Sequence, residues 1–325
     1  MKRILVSGAS GIVGYGVLRS LRQAGQPCFL VGTSIYDDSV APAFCDVFEQ
    51  APPTSAPEYL DWLLTTLRRH RIDMLIPGIE IDMYHCVEHV PEICEAGTLP
   101  LLNVPDLIAL CKDKWAFYQR LAHAGLACAI DSSLEADFAA LVQQFGLPFL
   151  LKPRQGFGSK GIVRVTSEEI FLMHRADIGA VLMAQPIVGN DEEEFTTSAF
   201  CDGRGGYFAS MTLRRKLSRD GFTDKAEVAD TAEFVPAMDE LCRLFSPLGP
   251  TNFQFRRCAA GPKLLEINPR ISSSTSIRTA FGYNESAMAL DYFLDHRDPS
   301  QPAIRHGRAV RYTDEKIFYE DGVHL

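Results

Sequence analysis

Asn252-Phe253-Gln254-Phe255, followed by Leu264-Leu265-Glu266-Ile267-Asn268-Pro269-Arg270, is the stretch from which the rest of the chain can be organised. Both segments alternate, so Gln254 shares a strand face with Asn252, and Glu266 shares one with Asn268. If Ala259-Ala260-Gly261 forms a three-residue hairpin loop with Gly261 in the left-handed position, Cys258 pairs with Pro262. Counting back then sets Gln254 opposite Glu266. Three oxygen donors converge on one face, the hard ligand set that magnesium accepts when phosphate oxygens and water complete its octahedron. Arg270 emerges just beyond them as a cation for a transferring phosphoryl group.

Upstream, Leu150-Leu151-Lys152-Pro153-Arg154-Gln155-Gly156-Phe157-Gly158-Ser159-Lys160-Gly161 places a lysine at the end of an apolar strand, ahead of a basic, glycine-rich loop. Such a flap can lay backbone N–H and ammonium groups over a polyphosphate, and Pro153 keeps the lysine extended. It is not a Walker A loop, because the chain contains no Gly-Lys dipeptide. A second glycine cluster, Gly8-Ala9-Ser10-Gly11-Ile12-Val13-Gly14, follows a short apolar run. It reads either as a phosphate-binding turn or as a tight turn starting the first helix. The former would suit an NAD(P)-dependent oxidoreductase. The Tyr-x-x-x-Lys pair of the short-chain type occurs only as Tyr312 with Lys316, at the far C-terminus.

Composition narrows the classes. The 325 residues carry a formal charge of −9, which argues against a nucleic-acid-coating surface and requires any polyanion to find a local basic pocket. No apolar run approaches the ~18 residues that span a bilayer, and the N-terminus turns into glycines before a signal-peptide apolar region can form. No membrane association and a cytoplasmic location are expected. The nine cysteines are scattered without a CxxC pair, and read as small hydrophobes rather than a metal or redox site.

Length implies two or three lobes. Residues 1–105 alternate strands (Arg3–Ser7, Phe29–Gly32, Met74–Ile76, Leu99–Leu102) with helices (Val13–Ala24, Tyr59–His70), which predicts a doubly wound α/β lobe. From Pro105 the pattern becomes α+β, with a helical stripe at Phe138, Leu141, Val142 and Phe145 and then mostly strands. The expected lobes are 106–185, carrying the glycine-rich flap, and 186–325, carrying the metal site.

Taken in order, Lys114 in Cys111-Lys112-Asp113-Lys114, Lys152 with its flap, Met183-Ala184-Gln185-Pro186-Ile187-Val188-Gly189 followed by Glu194-Phe195-Thr196, and Gln254 with Glu266 to Arg270 resemble the ATP-grasp superfamily. The likeness is greatest to the synthetase halves of the carbamoyl phosphate synthase large subunit and stand-alone relatives. The resemblance implies that the first lobe is a Rossmann-like pre-ATP-grasp lobe followed by two ATP-grasp lobes. It implies that Lys114 and Lys152, with flap glycines Gly156 and Gly158, contact ATP phosphates. The carbonyl of Gln185 and the N–H of Ile187 would grip adenine, and Glu194 would hold the ribose. Gln254, Glu266 and Asn268 would bind two magnesium ions, or manganese in their place, with Glu266 bridging. The acidic insertion before Glu194 and Arg154-Gln155 in the flap depart from the family pattern.

The implied activity is that of an ATP-dependent carboxylate–amine ligase working through an acyl phosphate, with Lys152 and Arg270 as its catalytic cations. Small-molecule carboxylate and amine substrates are its expected partners, with a homo-oligomer compatible. The NAD(P) oxidoreductase and a non-catalytic ATP-binding module are the alternatives. Arg214, Arg215 and Lys216, read as following a strand, and Arg278 are candidates for the substrate carboxylate, or else exposed surface cations.

Overall fold

The computed structural model describes residues 1–156, 161–219 and 221–319. The first lobe contains β1 (Lys2–Val6), α1 (Ile12–Arg22), β2 (Cys28–Ser34), β3 (Val47–Gln50), α2 (Tyr59–His70), β4 (Met74–Ile76), α3 (Glu80–Glu88), α4 (Val90–Glu95) and β5 (Leu99–Pro100). Its five strands are all parallel in the order β3-β2-β1-β4-β5. The chain therefore winds outward in both directions from β1, the doubly wound arrangement. Strand β1 is apolar at consecutive positions because both faces are covered. Ile4 and Val6 pack against Val17, Leu18 and Leu21 of α1, while Leu5 packs with Leu63 and Leu67 of α2.

The N-terminal glycines serve this packing. Gly8 has φ +57° and accepts a turn-closing hydrogen bond from the Gly11 N–H at 2.9 Å. A Cβ on Gly14 would lie 2.3 Å from the Gly8 carbonyl oxygen and 2.7 Å from the Ala9 Cα. Both neighbours are backbone and cannot step aside. Gly14→Ala should consequently destabilise the fold by about 3 kcal/mol or more. A lowered urea midpoint at unchanged slope is the expected measurement, and an unchanged midpoint would refute the packing role.

The chain continues through α5 (Pro105–Cys111), α6 (Lys114–His123), α7 (Phe138–Phe145), β6 (Phe149–Pro153), β7 (Val163–Val165), α8 (Glu168–His174) and β8 (Leu182–Pro186). Strands β7-β6-β8 form a small antiparallel sheet. Its core holds Leu141, Phe149, Leu151 and Phe171, with Phe138, Val142 and Phe145 packed alongside. The segment expected to open this lobe at 106 packs elsewhere. Leu107, Phe117, Tyr118, Leu121 and Ile130 join the core that contains Phe195, Phe253 and Phe255. Their apolar residues fit that large sheet, and the small sheet's own cover begins with α7.

The large sheet comprises β9 (Glu194–Asp202), β10 (Tyr207–Leu217), β11 (Thr223–Ala229), β12 (Leu248–Cys258), β13 (Gly261–Asn268) and β14 (Arg308–Val310), with α9 (Val235–Phe245), α10 (Thr275–Ala280) and α11 (Glu285–Phe293). It is antiparallel in the order β13-β12-β9-β10-β11-β14. Helix α9 contributes to one face through Met238 and Leu241. Helices α10 and α11 cover the other with Ile277, Met288 and Ala289. The same two helices reach the first lobe, where Thr279 and Asn284 donate hydrogen bonds to Ser20 of α1 at 2.9 and 2.8 Å. Ile271 and Leu290 also enter the first lobe's core. Among the described residues no helix is long and apolar enough to cross a membrane.

Candidate active site

Gln254 does pair with Glu266, by a different route from the one the hairpin count assumes. The loop has two residues, with Cys258 opposite Gly261, and this register runs unbroken to Phe255 opposite Leu264. A bulge between Gln254 and Phe255 then inserts Leu265 and brings Gln254 opposite Glu266 and Asn252 opposite Asn268. The shorter loop and the bulge offset one another. The bulged backbone is tied down by the buried Tyr118, whose hydroxyl donates to the Leu265 carbonyl.

These strands form one wall of a cavity of about 520 Å³ between the small and large sheets. It is lined by Lys114, Lys152, Gly156, Gln185, Ile187, Glu194, Gln254 and Glu266, the greater part of the expected nucleotide site. Gly158 lies outside the described residues. Among the lining residues six side chains are cationic (Lys114, Lys152, Arg164, Arg215, Lys216, Arg256) and three are acidic (Asp191, Glu194, Glu266). A chain of net charge −9 thus concentrates positive charge where a polyphosphate would enter. Ile130, Leu150, Ile162, Val188 and Leu265 supply an apolar part suited to a flat ring.

Lys152 donates to Gln185 Oε1 at 3.2 Å. Burial, together with the neighbouring Lys114 and Arg256, brings its ammonium down to about 8, against the opposing pull of Glu266 and Glu194. Lys114 is placed by its helix start. Asp113 caps α6, accepting from the Trp115 N–H at 2.9 Å, and also pairs with Arg154. The Lys114 N–H donates to the Arg154 carbonyl at 2.8 Å. Arg154, unusual in the flap sequence, thus fastens the flap's first residues to the helix that carries Lys114.

Gln185 enters the site through its side chain, which accepts from Lys152 and donates to Ser132 at 2.8 Å. Its main chain is turned away. Ala184 exchanges both backbone hydrogen bonds with Ser133 on the outer edge of β8. By strand alternation Pro186 shares that edge, whereas the Gln185 carbonyl faces β6, opposite Leu150. The carbonyl that β8 turns to its outer edge is therefore that of Pro186, not that of Gln185.

Glu194 is buried rather than part of a solvated acidic turn. Its carboxylate accepts from Arg215 at 2.9 and 3.2 Å and from Arg256 at 2.6 Å. Arg215, read above as following a strand, lies inside β10. Only 6% of it is exposed, while Arg214 and Lys216 on either side point outward to Glu227 and Glu192. The surface reading holds for Arg214 and fails for Arg215. Arg278 fails it too, being fully buried and bonded to Ser272, Thr196 and Asn252, with Glu285 at 3.5 Å. It organises the polar row of Thr196 and Asn252 on the same sheet face as Glu194 and Gln254. Arg256 was not anticipated, although alternation from Gln254 already puts it on the same face.

Gln254 Oε1 accepts from Arg215, Asn268 Nδ2 donates to Glu266 Oε1 at 3.2 Å, and Asn268 Oδ1 lies 3.4 Å from Arg270. The Gln254–Glu266 register pair and the Glu266–Asn268 hydrogen bond set the three side chains side by side as an oxygen-rich row. Among the described residues no group of three or more His, Cys, Asp or Glu is placed to hold a metal ion. One carboxylate and two amides carry a single formal negative charge, which fits magnesium held jointly with phosphates and does not fit a stand-alone site.

A family model described as ATP-grasp in the biosynthetic pathway with Ter operon matches residues 183–316. In fold, the chain resembles N5-carboxyaminoimidazole synthetase from Staphylococcus aureus (TM-score 0.71, 16% identity, 93% of this chain and 80% of that one). It also resembles biotin carboxylase from Campylobacter jejuni (TM-score 0.72, 15% identity, 94% and 74%). The likeness to ATP-grasp at the level of a family model thus lies in residues 183–316. The family match takes in Gln185, Glu194, Gln254, Glu266, Asn268 and Arg270, and leaves Lys114 and Lys152 outside it. Among curated sequences the chain is 27% identical over 205 residues to the uncharacterised protein y4rH of Sinorhizobium fredii (57% of this chain, 41% of the relative). It is 34% identical over 106 residues to the vancomycin C-type resistance protein VanC1 of Enterococcus gallinarum (29% and 31%). The chain thus aligns with less than half the length of either curated relative.

Proposed function

We propose that the protein is an ATP-dependent carboxylate–amine ligase. The observation that carries this reading is the cavity of net positive lining in an acidic chain, with Lys152 on one wall and the Gln254–Glu266 pair on the other. A substrate carboxylate oxygen attacks the γ-phosphorus, the bond from phosphorus to the β,γ-bridging oxygen breaks, and ADP departs with that electron pair. The acyl phosphate is then attacked by an amine, which loses a proton as phosphate leaves. Lys114, Lys152 and the backbone at Gly156 bind the phosphates. The outward carbonyl of Pro186 holds adenine, and Glu194, fixed by Arg215 and Arg256, receives the ribose hydroxyls. Gln254, Glu266 and Asn268 would hold magnesium, as two ions, whose charge would offset that of the phosphates. Arg270 steadies the reacting carboxylate and its phosphorylated product.

The test is product analysis. With Mg·ATP, a suitable carboxylate and hydroxylamine, the protein should release ADP and phosphate and form a hydroxamate. Formation of AMP and pyrophosphate would mean adenylation and overturn the reading, as would oxidation of NAD(P)H without ATP.

The donor set also fixes the order of metal affinity. Magnesium should bind weakly to the free protein and at least about tenfold more tightly once nucleotide supplies the missing anionic ligands. Titration calorimetry showing tight magnesium binding without nucleotide would contradict it.

A further inference from the structure

Beside the nucleotide cavity, and sharing Lys114, Gly156 and Glu266 with it, lies a second cavity of about 390 Å³. It opens between α3 of the first lobe and β13 of the large sheet. Ile81, Met83, Tyr84, Phe117, Ile267 and Pro269 make its lining mainly apolar. Its polar wall joins the two lobes. Glu80, at the start of α3, pairs with Arg270 at 2.6 Å, and one turn along the helix Tyr84 lies under the Lys112 ammonium, 4.0 Å from the ring centre. Glu80 and Asn268 both line this cavity, and Arg270 touches both.

The Glu80–Arg270 pair poses a charge problem for any ligand. Both side chains are 18% exposed, so neither is well solvated once the other is taken away. A simple carboxylate drawn to Arg270 would be forced beside the Glu80 carboxylate. A simple amine drawn to Glu80 would strand the Arg270 guanidinium. A molecule bearing both charges a few ångströms apart can insert between them, its carboxylate replacing Glu80 on Arg270 and its ammonium replacing Arg270 on Glu80. The exchange leaves no buried charge unpaired. It also puts the carboxylate next to Asn268 and Glu266, where the phosphoryl group would arrive.

We infer that the second cavity binds the phosphoryl-accepting substrate, and that this substrate is a zwitterionic α-amino acid with an apolar side chain. The Glu80–Arg270 contact is the charge pair that the substrate's two charges would replace. This assignment rests on the ligase reading and names the acid for it. Glu80 selects the amino acid over its des-amino counterpart, and the apolar lining of α3 and β13 receives the side chain.

The experiment is titration calorimetry on the full chain loaded with Mg·ADP. Racemic leucine and methionine serve as probes, with 4-methylpentanoate and 3-methylbutylamine as leucine lacking its ammonium or its carboxylate. At least one amino acid should bind about tenfold or more tightly than either truncated probe, as a charged hydrogen-bonded contact is worth. In Glu80→Gln that preference over 4-methylpentanoate should collapse to within about twofold, while Glu80→Asp restores part of it. Unchanged Mg·ADP affinity in both variants would show that the site remains folded. Equal binding of 4-methylpentanoate by the parent protein overturns the proposal. So does an undiminished preference in Glu80→Gln, or no binding of either amino acid at millimolar concentration by protein that binds Mg·ADP. Failure to bind Mg·ADP at all would strike the ligase reading itself.

Discussion

Glu266→Ala should abolish ADP formation, lowering turnover by about 10³-fold or more, while the thermal unfolding temperature moves little. Glu266 is the one formal negative charge in the Gln254–Glu266–Asn268 row, and it accepts the 3.2 Å hydrogen bond that orients Asn268. Its removal takes away an anionic metal ligand and releases its neighbour. Loss of a preorganised charge at a phosphoryl-transfer site costs several kcal/mol of transition-state stabilisation, and 10³-fold corresponds to about 4 kcal/mol. The residue is only half-buried, at the bulged end of β13, and packs little of the core, so stability should be nearly unaffected. Glu266→Gln separates charge from shape: it keeps the hydrogen bond available to Asn268 and should still be inactive. The measurement is ADP release at saturating Mg·ATP, paired with a melting curve. A variant that turns over within tenfold of the parent protein would remove Glu266 from the site.

The sequence carried most of this arrangement because alternation is a local signal. Gln254, Glu266 and Asn268 could be placed on strand faces from residue order alone, and α2 runs over Tyr59–His70 as its apolar spacing predicts. What escaped depends on partners distant in the chain. The bulge at Leu265 follows from how β13 meets β12 and the Tyr118 hydroxyl, and nothing local announces it. Strand β11, Thr223-Asp224-Lys225-Ala226-Glu227-Val228-Ala229, was not foreseen because charged residues interleave its apolar positions and only its pairing between β10 and β14 makes it a strand. Arg215 and Arg278 illustrate the same point for charge: composition suggests surface cations, yet each is buried because carboxylates from other strands and helices, Glu194 and Glu285, meet them there. Glu80 left no trace of its role, since its partner Arg270 stands 190 residues away. The first glycine cluster pointed toward phosphate, and the backbone contacts at Gly14 show that close packing already requires a glycine there.

Lys152→Ala should weaken nucleotide binding or cut turnover by about 100-fold, equivalent to about 2.7 kcal/mol, and the dependence on pH tells why. Burial in the cavity brings the ammonium down to about 8, so Lys152 is charged below that pH and increasingly neutral above it. ATP phosphates would favour the charged form and raise the pKa in the complex. Above pH 8, binding must therefore take up a proton, and affinity should fall by up to about tenfold per pH unit until the higher pKa of the complex is reached. Below pH 8 the lysine is already protonated, and its contribution should be flat. Lys152→Arg keeps the charge at every accessible pH and should flatten the alkaline fall even where its geometry costs affinity. Calorimetry of ATP binding at pH 9 in buffers of different ionisation enthalpy should count close to one proton taken up by the parent protein and none by the arginine variant. Identical proton counts would show that Lys152 keeps its charge in the free cavity, and that its contribution to binding does not depend on titration.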